Sequence, residues 1–339
     1  MPAPSPCRRP RASDPDQARI PQDSSPQPTS PSSHPIGTVR DESDQTAQTS
    51  WGQYARGVRD TRGSTRTQET VSSYFDEHVV FWDDVYRHSD VFSLIHQQRR
   101  QRALILVDTL GLAPASRVLE VGCGTGRFAV ALASRGFHVD AIDASPGMVQ
   151  ATQERARQQG LDAVLRCRQG DVQRLDFDKE KYELVVALGV VPWVPDPQVA
   201  VRQMAAVLQP GGHVLLSADN RQRLTYMLDP RYQPLLEPAR AALRARLAAA
   251  GRGPTDESVA RPALHSRADV DRLLADSGLT KTVGLTLGFG PLTIFGRSVL
   301  PASVTIRMNE ALQRSADSGT PVIRALGTQH LVLARKPTS

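Results

Sequence analysis

Cysteine is scarce in this chain of 339 residues. Cys7, Cys123 and Cys167 are odd in number and widely spaced, which excludes a disulfide framework and fits no zinc pattern. Lysine is nearly absent: Lys179, Lys181, Lys281 and Lys336 are the only ones among 41 basic residues. No Lys/Arg cluster interleaved with aromatics accompanies the net charge of +6, so nucleic acid is not the expected partner. No apolar run approaches the roughly 20 residues needed to span a bilayer. Arg8, Arg9 and Arg11 are followed by Pro, Asp, Gln and Ser where a secretory leader needs an apolar core, and a cytoplasmic protein is expected. No Asp/Glu/His group shows metal-ligand spacing, and no metal is expected.

Residues 1–68 are also poor in apolar side chains and dense in Pro, Ser, Gln, Asp, Thr and Arg. Such a segment cannot bury enough surface to offset chain entropy, and a disordered extension is predicted. Aromatics return at Tyr74, Phe75, Phe81, Trp82 and Tyr86. The spacing of Phe75, Val79, Trp82 and Tyr86 predicts one helical stripe, and a second helix is predicted from about Phe92 to Leu110 with a basic face at Arg99, Arg100 and Arg102. Residues 69–116 are read as a helical region that closes over a ligand.

From Arg117 the pattern alternates strand and helix. Val118, Leu119 and Val121 form a short apolar run that enters a turn with glycine at 122, 124 and 126. Strands are predicted at 117–121, 138–142, 163–168, 182–188, 213–217, 280–287 and 329–335. Repeated βα units specify an α/β fold, a doubly wound and mostly parallel seven-stranded sheet. The domain runs from 117 to 339 and is interrupted at 219–263 and 288–328. These two insertions are expected to wall in a pocket at the carboxyl edge and to select the substrate.

Three carboxylates recur where successive strands end: Glu120, Asp143 and Asp171. Asp143 lies about 20 positions past Gly122, where an acidic residue accepts both ribose hydroxyls of a nucleoside. Asp171 is placed to accept from an adenine amino group. A nicotinamide or flavin dinucleotide is the rival ligand, but Arg127 takes the sixth fingerprint position, which wants Gly or Ala. Glu120 would also repel a pyrophosphate, whereas it suits a cationic amino group. An adenosine with a zwitterionic amino-acid arm and no phosphate describes S-adenosylmethionine.

Glu120-Val-Gly-Cys-Gly-Thr-Gly126, Ile142-Asp-Ala-Ser145, Gly170-Asp-Val172, Leu188-Gly-Val-Val-Pro-Trp193 and Leu208-Gln-Pro-Gly-Gly212 resemble the ordered motifs of class I S-adenosylmethionine-dependent methyltransferases. The likeness is greatest to the branch that modifies small molecules, quinones and lipids. The resemblance implies a Rossmann-like methyltransferase fold in which Gly122 and Gly124 approach the methionine arm near Glu120, with Gly126 completing the turn. It further implies Asp143 on the ribose, Ala144 and Met148 against the adenine, Asp171 and Val172 at its edge, and Leu188 near the methyl-bearing sulfur.

Leu188-Gly-Val-Val-Pro-Trp193 offers no polar anchor for a flipped base, which argues against nucleic-acid methylation. Pro192 and Trp193 read as the floor of an apolar pocket. A small-molecule or lipid-like acceptor is expected, methylated on O, N or C by in-line displacement. A hydroxyl acceptor needs a base; His265 is the first candidate, followed by His213, His96 and His88. A catalytically silent member of the fold and a Rossmann-type oxidoreductase are the alternatives.

Overall fold

The computed structural model describes residues 67–177, 181–233, 236–250, 262–295 and 297–338. The extension predicted at 1–68 falls almost wholly outside them. Seven strands form one sheet: β1 (Arg117–Val121), β2 (His138–Asp143), β3 (Leu165–Gln169), β4 (Tyr182–Ala187), β5 (Leu208–Asp219), β6 (Thr280–Leu287) and β7 (Gln329–Arg335). Their order is β3-β2-β1-β4-β5-β7-β6. The first five are parallel, with Glu120 facing Ala141 on one side and Val186 on the other. β7 lies antiparallel between β5 and β6, pairing Leu331 with Ser217 and with Leu285.

β1 shows why this sheet is central. Arg117 is exposed, but Val118, Leu119, Glu120 and Val121 are all buried, as a strand covered on both faces requires. Two apolar layers flank the sheet, one with Leu119, Val185 and Met204, the other with Val118, Leu132 and Leu184. Helices α4 (Arg127–Ala133), α5 (Pro146–Gln158), α6 (Pro197–Val207) and α9 (Arg267–Ala275) follow β1, β2, β4 and the first insertion. Ser145, Asp196 and Ser266 cap the last three, each side-chain oxygen accepting a backbone N–H of the first turn.

Before the sheet come α1 (Gln68–Glu77), α2 (Val79–Asp84) and α3 (Val91–Thr109). The single stripe expected over Phe75 to Tyr86 is two helices. At His78 the backbone leaves the helical region, and the ring Nδ1 bonds the Tyr74 carbonyl at 2.7 Å, competing with the main-chain ladder. β5 also starts earlier than the expected 213. Leu208 pairs with Tyr182, and the register then shifts around the Pro210-Gly211-Gly212 turn before His213 pairs with Leu184.

The first insertion holds α7 (Leu224–Leu228) and α8 (Glu237–Ala249), and the second holds a two-residue hairpin with α10 (Ala302–Asp317) and α11 (Pro321–Leu326). Among the described residues no helix is long and apolar enough to cross a membrane.

Candidate functional site

Where strand order reverses between β1 and β4, the carboxyl edge of an open α/β sheet leaves a crevice. Here that crevice is a cavity of about 1220 Å³, counted with the open space at its mouth. Glu120, Gly122, Gly124, Asp143, Ala144, Met148, Val172 and Leu188 all line it. Gly126, Asp171 and His265 do not. Gly126 starts α4 with φ of +77°, and a Cβ there would lie 2.8 Å from Thr152 Oγ1. Asp171 accepts from the Gln173 N–H at 2.8 Å and caps a short 3-10 turn. His265 donates its backbone N–H to the Asp219 carbonyl at 2.8 Å, beside the cavity's rim.

The turn itself is shaped by two demands. Gly122, with φ of +64°, sits so close to Val190 that a Cβ would stand 2.4 Å from its Cγ2. Gly124, with φ of +54°, faces open space, leaving bare main chain on the cavity wall. Asp143 fixes the two turns together: its Oδ2 accepts from Gly124 N–H at 2.9 Å and its Oδ1 from Ser145 N–H at 3.0 Å. Burial nevertheless dominates and raises its carboxyl above the ordinary value, the backbone bonds opposing.

Glu120 is only 3 % exposed, and its Oε2 has no hydrogen-bond partner among the described residues. Burial drives its pKa well above the usual carboxylate range, with Cys167 and Asp143 adding and Arg100 opposing. Leaving such a group unanswered costs about 1–3 kcal/mol or more. An orphaned acceptor of this kind is therefore strong evidence for a missing donor. Gln68 Oε1, Trp82 Nε1, Arg99 Nε, Arg100 Nε and Gln329 Oε1 are likewise buried without partners, and their residues line the same cavity.

Cys123 also lines it, 3.6 Å from Cys167 sulfur to sulfur. The bond with Cys167, together with burial, raises the Cys123 pKa well above its ordinary value, so it is held as a thiol that fills the turn.

The opposite wall comes from α1 to α3, through Gln68, Val71, Phe75, Trp82, His96, Arg99 and Arg100. Three side chains bind these helices to the sheet's turns. Ser72 Oγ donates to the Ala144 carbonyl at 2.9 Å, and Asp76 Oδ1 accepts from Ser145 Oγ at 2.8 Å and Gly147 N–H at 2.7 Å. Asp83 accepts from Arg127 at 2.9 and 3.0 Å, from Arg155 at 2.6 Å and from Thr125 at 2.9 Å.

Sequence reasoning placed the pocket wall in the two insertions and a lid in residues 69–116, yet of the insertions' described residues only Asp219 lines the cavity. The N-terminal aromatics occupy that place, and Tyr226 of the first insertion packs behind them with Trp193. His96 was legible as a third-choice base after His265 and His213, and Arg99 and Arg100 as part of a basic helix face, but not as members of the cavity wall. Their spacing along one face was the available signal.

The model of a family described as "Methyltransferase domain" matches residues 119–216. That stretch of the chain is similar to a methyltransferase domain. Within it fall the glycine turn, Asp143, Val172 and Leu188.

A ubiquinone biosynthesis O-methyltransferase of Coxiella burnetii is 33 % identical over 110 residues, covering 32 % of this chain and 46 % of that protein. A phosphatidylethanolamine N-methyltransferase of Cereibacter sphaeroides is 37 % identical over 125 residues, 37 % of this chain and 59 % of that protein. The chain thus spans about half the length of the curated relatives it matches. Magnesium protoporphyrin IX methyltransferase ChlM of Synechocystis PCC 6803, crystallised with bound SAH, superposes with a TM-score of 0.53 at 16 % identity. That superposition covers 80 % of this chain and 100 % of ChlM. At that identity the likeness shows the fold alone: this chain shares a Rossmann-like sheet of seven strands, as the motif order implied.

Proposed function

We propose that the protein is an S-adenosylmethionine-dependent methyltransferase that modifies a small-molecule or lipid-like acceptor. The observation that carries this reading is Glu120, a buried carboxylate with an orphaned oxygen beside the bare main chain of Gly122 and Gly124. A cationic amino group answers that oxygen, and a phosphate does not. Asp143 has acceptor capacity left beyond its two backbone bonds and takes the ribose hydroxyls. Ala144, Met148 and Val172 form the apolar seat of the adenine, with Asp171 at its rim. Arg100 opposes the shift at Glu120 and has a free Nε, which suits the carboxylate of the amino-acid arm.

When bound, the sulfonium supplies an electrophilic methyl carbon and its own leaving group. What remains for the protein is alignment and exclusion of water. Leu188, Gly189 and Val190 follow β4 under the acceptor chamber, and Phe75, Trp82, Pro192 and Trp193 give it apolar walls. Helices α1 and α2 act as a lid held by Asp76 and Asp83. His96 is the group able to receive a proton from a hydroxyl. Its Nδ1 bonds the Phe92 carbonyl at 2.9 Å, and a carbonyl only accepts, so the neutral ring presents a lone pair at Nε2.

Two features weigh against a dinucleotide: the charge of Glu120, and the engagement of Arg127 with Asp83. Calorimetry tests the proposal. The protein should take up S-adenosylhomocysteine with one site per chain, and no uptake of either it or S-adenosylmethionine overturns the reading.

A further inference from the structure

Arg99 is 7 % exposed, lines the cavity, and has an Nε without a hydrogen-bond partner. None of the guanidinium–carboxylate pairs among the described residues includes it. A guanidinium keeps its charge at any physiological pH, so this is a buried cation with no counter-ion among the described residues. An uncompensated buried charge costs several kcal/mol and is retained where a ligand neutralises it.

Its position separates it from the cofactor end. Nη1 lies 3.1 Å from where a Cβ on Gly189 would stand, so the fork rests on the turn that ends β4. Arg100, the next residue, faces the glycine turn instead, bonding the Arg127 carbonyl at 3.2 Å. The cavity that Arg99 lines also has the aromatic walls Phe75, Trp82 and Trp193, and Trp82 Nε1 offers a second donor without a partner among the described residues. The carboxylates lining the cavity are accounted for elsewhere: Glu120 and Asp143 stand at the cofactor turns, and Asp219 accepts from Gln329 at 3.2 Å.

We propose that Arg99 is the receptor for an oxyanion, a carboxylate or phosphate, carried by the methyl acceptor on an otherwise apolar body. This deepens the methyltransferase reading and rests on it. A planar fork takes two oxygens of such a group at once, which orients the acceptor as well as holding it. The arrangement also bears on His96, one turn away on α3. Burial first, and then the charge of Arg99, depress its pKa to about 3. An anion seated on Arg99 cancels the second effect and makes the imidazole a better proton acceptor once the correct acceptor is in place.

The test uses the full chain saturated with S-adenosylhomocysteine, titrated by calorimetry with naphthoate, naphthyl phosphate and the neutral naphthamide. At least one anion should bind about ten- to a hundredfold more tightly than the amide, the range of a charge-assisted bond. The stronger of the two identifies the source as carboxylate or phosphate. Arg99→Gln should erase the preference while changing affinity for S-adenosylhomocysteine less than about twofold, and Arg99→Lys should keep part of it. Should Arg99→Gln not fold, Arg99→Lys and the wild-type comparison decide.

Equal affinity for all three probes overturns the proposal. So does a variant that loses S-adenosylhomocysteine about tenfold or more, because Arg99 then serves the cofactor's own carboxylate. Failure of the wild-type protein to bind S-adenosylhomocysteine at all brings down the methyltransferase reading, and this inference with it. Cofactor uptake without anion preference brings down this inference alone.

Discussion

Replacing Glu120 with Gln separates what the buried carboxylate costs from what it contributes. In the free protein its pKa stands well above the ordinary 4.5, chiefly through burial. Between the ordinary value and the raised one, the unfolded chain ionises while the folded chain holds its proton. The folded state therefore binds more protons, and stability falls by about 1.4 kcal/mol per pH unit across that interval. Above it the full penalty persists. Glu120→Gln removes the ionisation, so the free variant should melt higher than wild type at pH 7.5, with the difference closing below about pH 4.5.

The bound state reverses the sign. Losing a charge-assisted bond to an ammonium group costs about 1.5–3 kcal/mol, or roughly ten- to a hundredfold in affinity for S-adenosylhomocysteine. Thermal melts of the free protein and calorimetry of the complex read the two effects independently. Unchanged affinity, or a variant that melts lower at pH 7.5, refutes the assignment of Glu120 to the cofactor's amino group.

Gly122→Ala combines a clash 2.4 Å from Val190 Cγ2 with a φ of +64°. Urea melts should show a loss of about 1–3 kcal/mol, and Val190→Ala should recover the packing share of it but not the backbone share. Asp83→Asn should destabilise the protein by about 1–3 kcal/mol at pH 7, since five bonds, one of them from the exposed Arg87, depend on that carboxylate. Burial pushes the Asp83 pKa up, but Arg127, Thr125 and Arg155 outweigh it and hold it below the ordinary 3.8. Its contribution is thus present above that value and lost as pH falls through the depressed one, so melts of wild type and variant should converge in acid. With a hydroxyl acceptor, His96→Gln should lower kcat about a hundredfold, whereas His265→Gln, outside the cavity lining, should change it less than about threefold.

Much of this architecture is written locally. Thr280–Leu287 and Gln329–Arg335 form strands at the bounds their residues suggest, and the apolar run at 118–121 forms the central one. The turn glycines were legible because only a missing Cβ serves both Val190's approach and the positive φ at Gly124. Other features depend on distant partners that no local pattern reveals. Asp83 looks like a surface residue of a helix until Arg127 and Arg155 meet it from two other elements. Arg99 reads as one of three residues on a basic helix face, yet it is buried and lines the cavity that aromatics of α1 and α2 also wall. Asp171, placed by its strand-end position among ligand-facing carboxylates, spends an oxygen on its own turn, as an Asp following Gly commonly does.

Arg127 ties the sequence pattern to the architecture in a second way. It stands where a dinucleotide fingerprint wants glycine or alanine, and its guanidinium is clamped bidentately on Asp83. The departure from one ligand's pattern is at the same time a fastening of the cavity wall. Conversion toward pyrophosphate binding is therefore not a single substitution away: a small residue at 127 removes two of the bonds that hold α2, leaving Arg155 and Thr125 on Asp83, before it admits any phosphate. The specificity of the turn is guarded by the cost of dismantling what surrounds it, and two changes on separate elements must arrive together to cross that barrier.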